Sequence, residues 1–366
     1  MDVEGRSSHR TVSRRGKRDA SGGCQRRRGI DSLSDPAGIL RLQPIGLRRP
    51  WGGRRLLDGL RPDLSVEPPV GESWEVSDVG EDDTSLHSIV AEGPLAGESL
   101  RNLIERDSET ILGPISQPGS QPRLPLLYKF IDAAQDLSVQ VHPDDALARK
   151  LGLGIWGKSE AWIILDALPD SRLQVGLKEG WDVVRLVECV RSGGVVSDAL
   201  HEIAVQRGDI FELPAGTIHS IGAGVLLAEI QQSSDVTWRV HDGGRTGLDG
   251  SPRQLHLEEV LLTTPPQPAS SGRLPAYETG SGWNCRIPDG PFRLHELRGE
   301  FQGQWPADPH FFSILSVLDG RTRLEGSQGW LQEGDVRFIL PTVMPLEIDC
   351  DQESWIICAS PAAGLR

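Results

Sequence analysis

The chain has 366 residues and carries 38 Lys and Arg against 52 Asp and Glu, a formal net charge of −14. That balance excludes a nucleic-acid binder, whose phosphate partners demand a basic face. With 37% hydrophobic and 25% charged residues the chain is globular and long enough for two or three domains.

No apolar run reaches the ~18 residues of a membrane-spanning helix, and the first 30 residues lack the apolar core of a secretory signal. The expectation is a cytoplasmic protein without a membrane partner. Cys24, Cys189, Cys285, Cys350 and Cys358 are widely spaced, with no CxxC pair, and read as reduced thiols. Frequent Gly and Pro favour many short strands, so the expected class is all-β.

Residues 1–40, with RRGKR and QRRRG among Ser and Gly, predict a disordered basic tail. A first domain spans 41–262. It opens on LQPIGLRRPWGG and SWEVSDV, and strands follow at RLPLLYKFIDAAQDLSVQVHP and AWIILDAL. Between about 179 and 200, Trp181, Val184, Leu186, Val187 and Val190 recur at helical spacing and predict a short helical insertion. Strands resume at EIAVQRGDIFELPAG and GVLLAEIQQ, and RQLHLEEVLL predicts a closing helix. Residues 263–276, rich in Pro and Ser, read as a linker to a second β-rich domain, 277–366. That domain repeats the first one's rhythm, QRGDIFELPAG against QEGDVRFILPT, which implies two tandem copies of one small β-barrel.

In LSVQVHPDD, Gln140 and His142 are two residues apart in a strand and so share a face, while Val139 and Val141 point away. The pair suits half of a metal site and suits equally a buried, hydrogen-bonded histidine. In RGDIFELPAGTIHSIGAG, a Gly-Asp turn, a strand and a tight Pro-Ala-Gly bend present His219 at the start of the next strand. The spacing Gly208, Pro214, Gly216, His219 resembles the second motif of the cupin superfamily, with Ala223 where Asn often closes it.

LSVQVHPDD, GKSEAWIILDA and LPAGTIHSIGAGVLLAEIQQSSDVTWRVHD, with WGGRRLLDGL and GESWEVSD near the start, together resemble the type I mannose-6-phosphate isomerases, in their short bacterial form with two cupin barrels. The resemblance covers roughly residues 42–262. It implies an all-β fold of two tandem cupin barrels, the second degenerate and metal-free because GDVRFILPTVMPLEI has no histidine matching His219. It implies one Zn²⁺ per chain on Gln140, His142, Glu160 and His219, a donor set that leaves the ion strongly Lewis acidic. The implied reaction interconverts mannose 6-phosphate and fructose 6-phosphate through a cis-enediolate, with Lys158, Arg239 and Asp235 at the catalytic centre. The proton-shuttling base is open between Asp235, a zinc-bound water and a ligand in a second role.

Lysine usage gives an independent signal, since five lysines stand against 33 arginines and a Lys retained near a ligand suggests a need for a compact ammonium. Lys158 matches the family's active-site lysine. Lys129 either faces the same cavity or snorkels at the surface. Arg54 and Arg55, after the WGG turn, are candidates for substrate phosphate. Gly157 replaces a histidine found in the family's larger members. A non-catalytic sugar-phosphate-binding cupin and an Fe(II) cupin oxygenase are the rival readings. The expected partner is a phosphorylated hexose, and the expected state a monomer or homodimer.

Overall fold

Short apolar runs broken by Gly and Pro fold as antiparallel strands that close into two stacked pairs of sheets. The computed structural model describes residues 38–80, 83–115, 121–264, 272–275, 282–327 and 329–362, so most of the proposed basic tail and more than half of the proposed linker lie outside the described residues.

The strands are β1 (Ile39–Leu40), β2 (Ile45–Gly53), β3 (Val70–Val76), β4 (Leu126–Ala133), β5 (Val139–Val141), β6 (Glu160–Ala167), β7 (Arg172–Leu177), β8 (Leu200–Ala204), β9 (Ile210–Leu213), β10 (His219–Ile221), β11 (Val225–Gln232) and β12 (Trp238–His241). They continue as β13 (Asn284–Ile287), β14 (Phe292–Arg298), β15 (Phe301–Gln304), β16 (Ser313–Asp319), β17 (Arg321–Leu324), β18 (Leu331–Gln332), β19 (Val336–Ile339), β20 (Glu347–Cys350) and β21 (Trp355–Pro361). The first barrel is built from a six-stranded sheet, β2-β3-β4-β11-β6-β9, and a five-stranded one, β12-β5-β10-β7-β8. The second is built from β1-β19-β16-β21-β14-β13 and β15-β20-β17-β18. This is the cupin-type all-β fold.

The two interiors differ in chemistry. In the second barrel Leu297, Leu315, Val317, Ile339, Ile348 and Ile356 meet in a continuous apolar core, with Cys350 and Cys358 buried among them. Apolar packing thus fills the space that would otherwise take polar donors. In the first barrel Trp162, Phe211, Leu173 and Ile221 pack one part of the interior, and charged groups occupy the rest.

The expected helical insertion is the helix Val183–Arg191 followed by a 3₁₀ turn at Val196–Ala199. Asp182 caps this helix, its carboxylate accepting from the Arg185 amide at 2.8 Å. The periodicity assigned Val184 to the buried face. It is 53% exposed, because Leu186 and Val187 face the barrel and Val183 packs beside them. The closing helix at 257–260 is only one turn long. Three helices escape the sequence reading: Leu100–Arg106, Ser108–Leu112 and Asp145–Leu151. Among the described residues, no helix is long and apolar enough to cross a membrane.

Two boundaries move. The tail does not extend to residue 40, because Ile39 and Leu40 pair with Ile339 and Phe338 of β19. The Gly38 carbonyl also accepts from Leu340 N at 2.7 Å. Within the linker, Gly272 O accepts from Glu212 N and Leu274 N donates to Ile210 O, which ties residues 272–275 to β9. Leu40 is buried, and burying a leucine is worth about 1.5–3 kcal/mol. A chain starting at Arg41 should therefore melt roughly 2–4 °C below one starting at Gly38. Equal melting temperatures would show that β1 contributes nothing.

Candidate active site

Three strands deliver the polar centre of the first barrel. His219 opens β10 opposite Gln140 of β5, so the two side chains share the inward face. His142 follows β5 directly, and Glu160 is the first residue of β6. Ser159 anchors that start, its Oγ accepting from Ala215 N at 3.1 Å and its N–H donating to Gln232 Oε1 at 3.0 Å.

His142 Nε2 lies 3.4 Å from Glu160 Oε1, and His219 Nε2 lies 3.5 Å from Glu160 Oε2. The ligand atoms of these three buried residues all fall within 4.8 Å of one another, the one such cluster among the described residues. His142 Nδ1 is 2.7 Å from Val236 O and His219 Nδ1 is 2.9 Å from Thr217 O. A carbonyl only accepts, so each Nδ1 carries the proton and each Nε2 turns a lone pair toward the carboxylate. Neither Glu160 oxygen accepts a hydrogen bond among the described residues, although Oε1 forms an ion pair with Lys158 Nζ. Two imidazole lone pairs and a carboxylate aimed at one point repel each other unless a cation sits between them, so these residues fit a metal ion. Gln140 is the fourth polar group. Its amide nitrogen donates to His219 Nε2 at 3.3 Å, its oxygen accepts from Ser138 Oγ at 3.2 Å, and a half-turn of the amide presents the oxygen instead.

Burial works against ionising Glu160, but Lys158, both imidazoles and Lys129 outweigh it and hold the carboxyl well below the usual carboxylate range. Burial and then the Lys158 charge push His142 well down, and burial lowers His219. Both rings are therefore neutral, the form that ligates.

A cavity of about 840 Å³ opens above this centre, with Gln140 and Lys158 on its floor. Lys158 is 5% exposed and also lies 3.2 Å from His142 Nε2. Lys129 lines the same cavity rather than the surface, paired with Glu229 at 2.9 Å. Glu229 accepts from Trp162 Nε1 at 2.8 Å, and burial followed by the Glu160 charge raises its pKa. Arg239 stands opposite Gln140 in the β12–β5 ladder, so the two share a face. Asp235 is exposed on the cavity wall.

Arg54 and Arg55 are not at the cavity. Arg54 is exposed and pairs with Asp58, and Arg55 is held by Asp132 at 2.8 Å and by the Gly224 carbonyl at 3.1 Å. The cause is a bulge in β2, where the register with Val70 jumps from Arg48 to Gly53. The arginines before the WGG turn, Arg48 and Arg49, therefore reach the cavity, and those after it do not. At Gly157, a Cβ would fall 2.4 Å from Pro143 O and 2.5 Å from Asp144 C, so this backbone has no room for a histidine there.

Glu229, Glu72, Arg49 and Arg253 line the cavity without having been anticipated. Glu229 alone left a readable mark, a single acid inside the apolar run LLAEIQQ.

A cupin-type double barrel with a buried His-Glu-His cluster beneath a large charged cavity defines the class, a cupin with a candidate metal site. Residues 39–154 match the family described as phosphomannose isomerase type I, catalytic domain. The mannose-6-phosphate isomerase of Streptococcus mutans is 32% identical over 314 residues, which cover 83% of this chain and 92% of that protein. The mannose-6-phosphate isomerase ManA of Bacillus subtilis is 35% identical over 223 residues, 60% of this chain and 65% of that one. A crystal structure of a Bacillus subtilis mannose 6-phosphate isomerase superposes with a TM-score of 0.73 at 29% identity, covering 88% of this chain and 99% of that chain. The chain belongs to the type I mannose-6-phosphate isomerases, a family of aldose-ketose isomerases.

Proposed function

We propose that the cavity above His142, Glu160 and His219 interconverts mannose 6-phosphate and fructose 6-phosphate, with Zn²⁺ held by those three residues and Gln140. The observation that carries this reading is the convergence of acceptor atoms at Glu160 beneath two cations of the cavity, Lys158 and Arg239. A bound Zn²⁺ supplies Lewis-acid charge to the sugar oxygens.

The chain's own residues supply the rest. After ring opening, a proton moves between C2 and C1 and negative charge develops on two adjacent oxygens, as a cis-enediolate. Lys158, fixed by Glu160 in a site nearly free of solvent, presents an ammonium to that charge. Arg239 presents a guanidinium from the facing strand. Among the cavity carboxylates, Glu229 is locked between Lys129 and Trp162, whereas the Asp235 carboxylate accepts no hydrogen bond among the described residues. Asp235 is therefore the group assigned to carry the proton. The first barrel, 41–262, performs the chemistry in this reading, and the second, 277–366, packs against it.

A coupled assay offering fructose 6-phosphate should yield mannose 6-phosphate. Chelation should abolish turnover and lower the melting temperature together, since a ligand that binds only the folded state stabilises it. Zn²⁺ should restore both. Full activity in a preparation shown metal-free by elemental analysis would refute the zinc assignment.

A further inference from the structure

The arginines of the cavity come from three separate elements. Arg49 projects from the β2 bulge, and a Cβ on Gly71 would come within 2.6 Å of Arg49 Cβ and 2.7 Å of the Trp51 ring, so the bulge lies where it does only over a glycine. Arg253 belongs to the loop after β12, and Arg239 to β12 itself.

Two of them are braced by carboxylates, Arg49 by Glu72, which lines the same cavity, and Arg253 by Asp242, which lies outside it. Arg49 donates through Nε and Nη2 to Glu72 at 3.2 and 3.1 Å, and Arg253 donates through Nη1 to Asp242 at 2.8 Å. Asp242 is buried, and Glu72 is held down to about 2: burial opposes its ionisation, but Arg49 and Lys129 prevail. Among the described residues this leaves Arg49 Nη1 and Arg253 Nε and Nη2 without an acceptor. Arg239 has no carboxylate partner there, only the Gln254 carbonyl at 3.3 Å, and its buried Nε is unpaired.

After burial, the groups that act most on Arg239 are Arg253, Asp242 and Arg49, whereas those that act most on Glu160 are Lys158, the two imidazoles and Lys129. Arg49, Arg239 and Arg253 thus bring guanidiniums from β2, β12 and the loop after β12 to one cavity, which also carries Lys158 and Lys129. A protein of net charge −14 repels a sugar phosphate at long range, so a dense local cluster of donors is needed to seat one.

We propose that Arg49 and Arg253 are the phosphate anchor of this enzyme: their braced guanidinium forks seat the dianion of the sugar phosphate and leave Arg239 to span between it and the reacting oxygens. This rests on reading the cavity as the sugar-phosphate site. A phosphate offers only acceptor oxygens, and the arginines offer only donors, held in place by the Glu72 and Asp242 carboxylates. Anchoring at a group that does not react strengthens binding in ground and transition states alike, which separates these residues from Lys158.

The test uses the full chain loaded with zinc. Arg49→Gln and Arg253→Gln should each raise KM for mannose 6-phosphate and the inhibition constant of inorganic phosphate together, by roughly tenfold or more, as loss of a charge-assisted hydrogen bond implies. Turnover, kcat, should fall less than about threefold. Arg49→Lys and Arg253→Lys, which keep the charge and lose the fork, should show smaller shifts in the same two constants and serve if the Gln variants fail to fold. An unmoved phosphate inhibition constant in an active wild-type background, or a fall in kcat at constant KM, would overturn the anchor. A wild-type enzyme inactive on mannose 6-phosphate would instead refute the isomerase reading, and calorimetric titration with inorganic phosphate would then still decide whether the two arginines bind the anion.

Discussion

Replacing Glu160 by glutamine should strip the metal and reduce kcat/KM by at least ~10³-fold, the scale of several kcal/mol of lost charge stabilisation. The carboxylate is 1% exposed, with both imidazole Nε2 atoms within 3.5 Å of it, and it neutralises the Lys158 ammonium. A neutral amide leaves Lys158 buried without its counter-charge, and breaking a buried pair on one side costs about 3–5 kcal/mol. The variant should therefore melt well below the wild type, hold little zinc by elemental analysis, and show no further drop in melting temperature on adding chelator. Stoichiometric zinc and near-normal activity in this variant would refute the site. The imidazoles add a pH signature. Their folded pKa values lie below the ordinary 6.5, by burial first and then, for His142, the Lys158 charge. Below that pH the unfolded chain binds more protons than the folded one, so stability rises with pH across this window. Acidification from pH 7 to 5 should thus lower the melting temperature and release metal, and a flat profile there would contradict neutral, buried imidazoles.

Lys158→Ala should lower kcat by on the order of 10² or more, the effect of losing a preorganised positive group beside developing charge. Lys158→Arg should not rescue it, because a planar five-donor fork does not fit where a compact ammonium sits 3.2 Å from His142 Nε2 and against Glu160. The metal should respond in the opposite direction to the Glu160 variant. Removing a cation that competes for the Glu160 carboxylate makes the centre more negative, so Lys158→Ala should bind zinc at least as tightly as the wild type while turning over slowly. Loss of zinc along with loss of rate would mean that Lys158 holds the centre together and has no direct part in the reaction.

The sequence exposed the site where local periodicity and short-range spacing determine geometry. Gln140 and His142 share a face because strands alternate, and His219 is delivered by a turn whose glycines, at 208 and 216, both adopt positive φ. Lys158 and Glu160 were placed by their motif, and the two side chains form an ion pair. The arginine wall was not legible, because a bulge in β2 decides which guanidiniums enter the cavity and a bulge shifts every residue after it. That is why Arg54 and Arg55 fell to the wrong side. Val184 was misassigned for a related reason: a helix of nine residues has too few turns to fix the phase of its buried stripe, and packing against the barrel fixes it. The pairing of Ile39–Leu40 with β19 is a long-range contact of two residues, too short to carry any local pattern.

That pairing also bears on how the chain is made. During synthesis β1 leaves the ribosome while its partner strand is still about 300 residues from translation, roughly 15–60 s at ordinary elongation rates. The second barrel can assemble most of its hydrogen-bond network from its own strands, but its β19 flank stays open until Ile39 and Leu40 fold back onto it. An open flank is a template for pairing with a second nascent chain, so β1 acts as a strand cover that guards against aggregation. The cost of closing so long a loop grows only with the logarithm of its length, which lets two residues cap a barrel about 300 residues further along the chain.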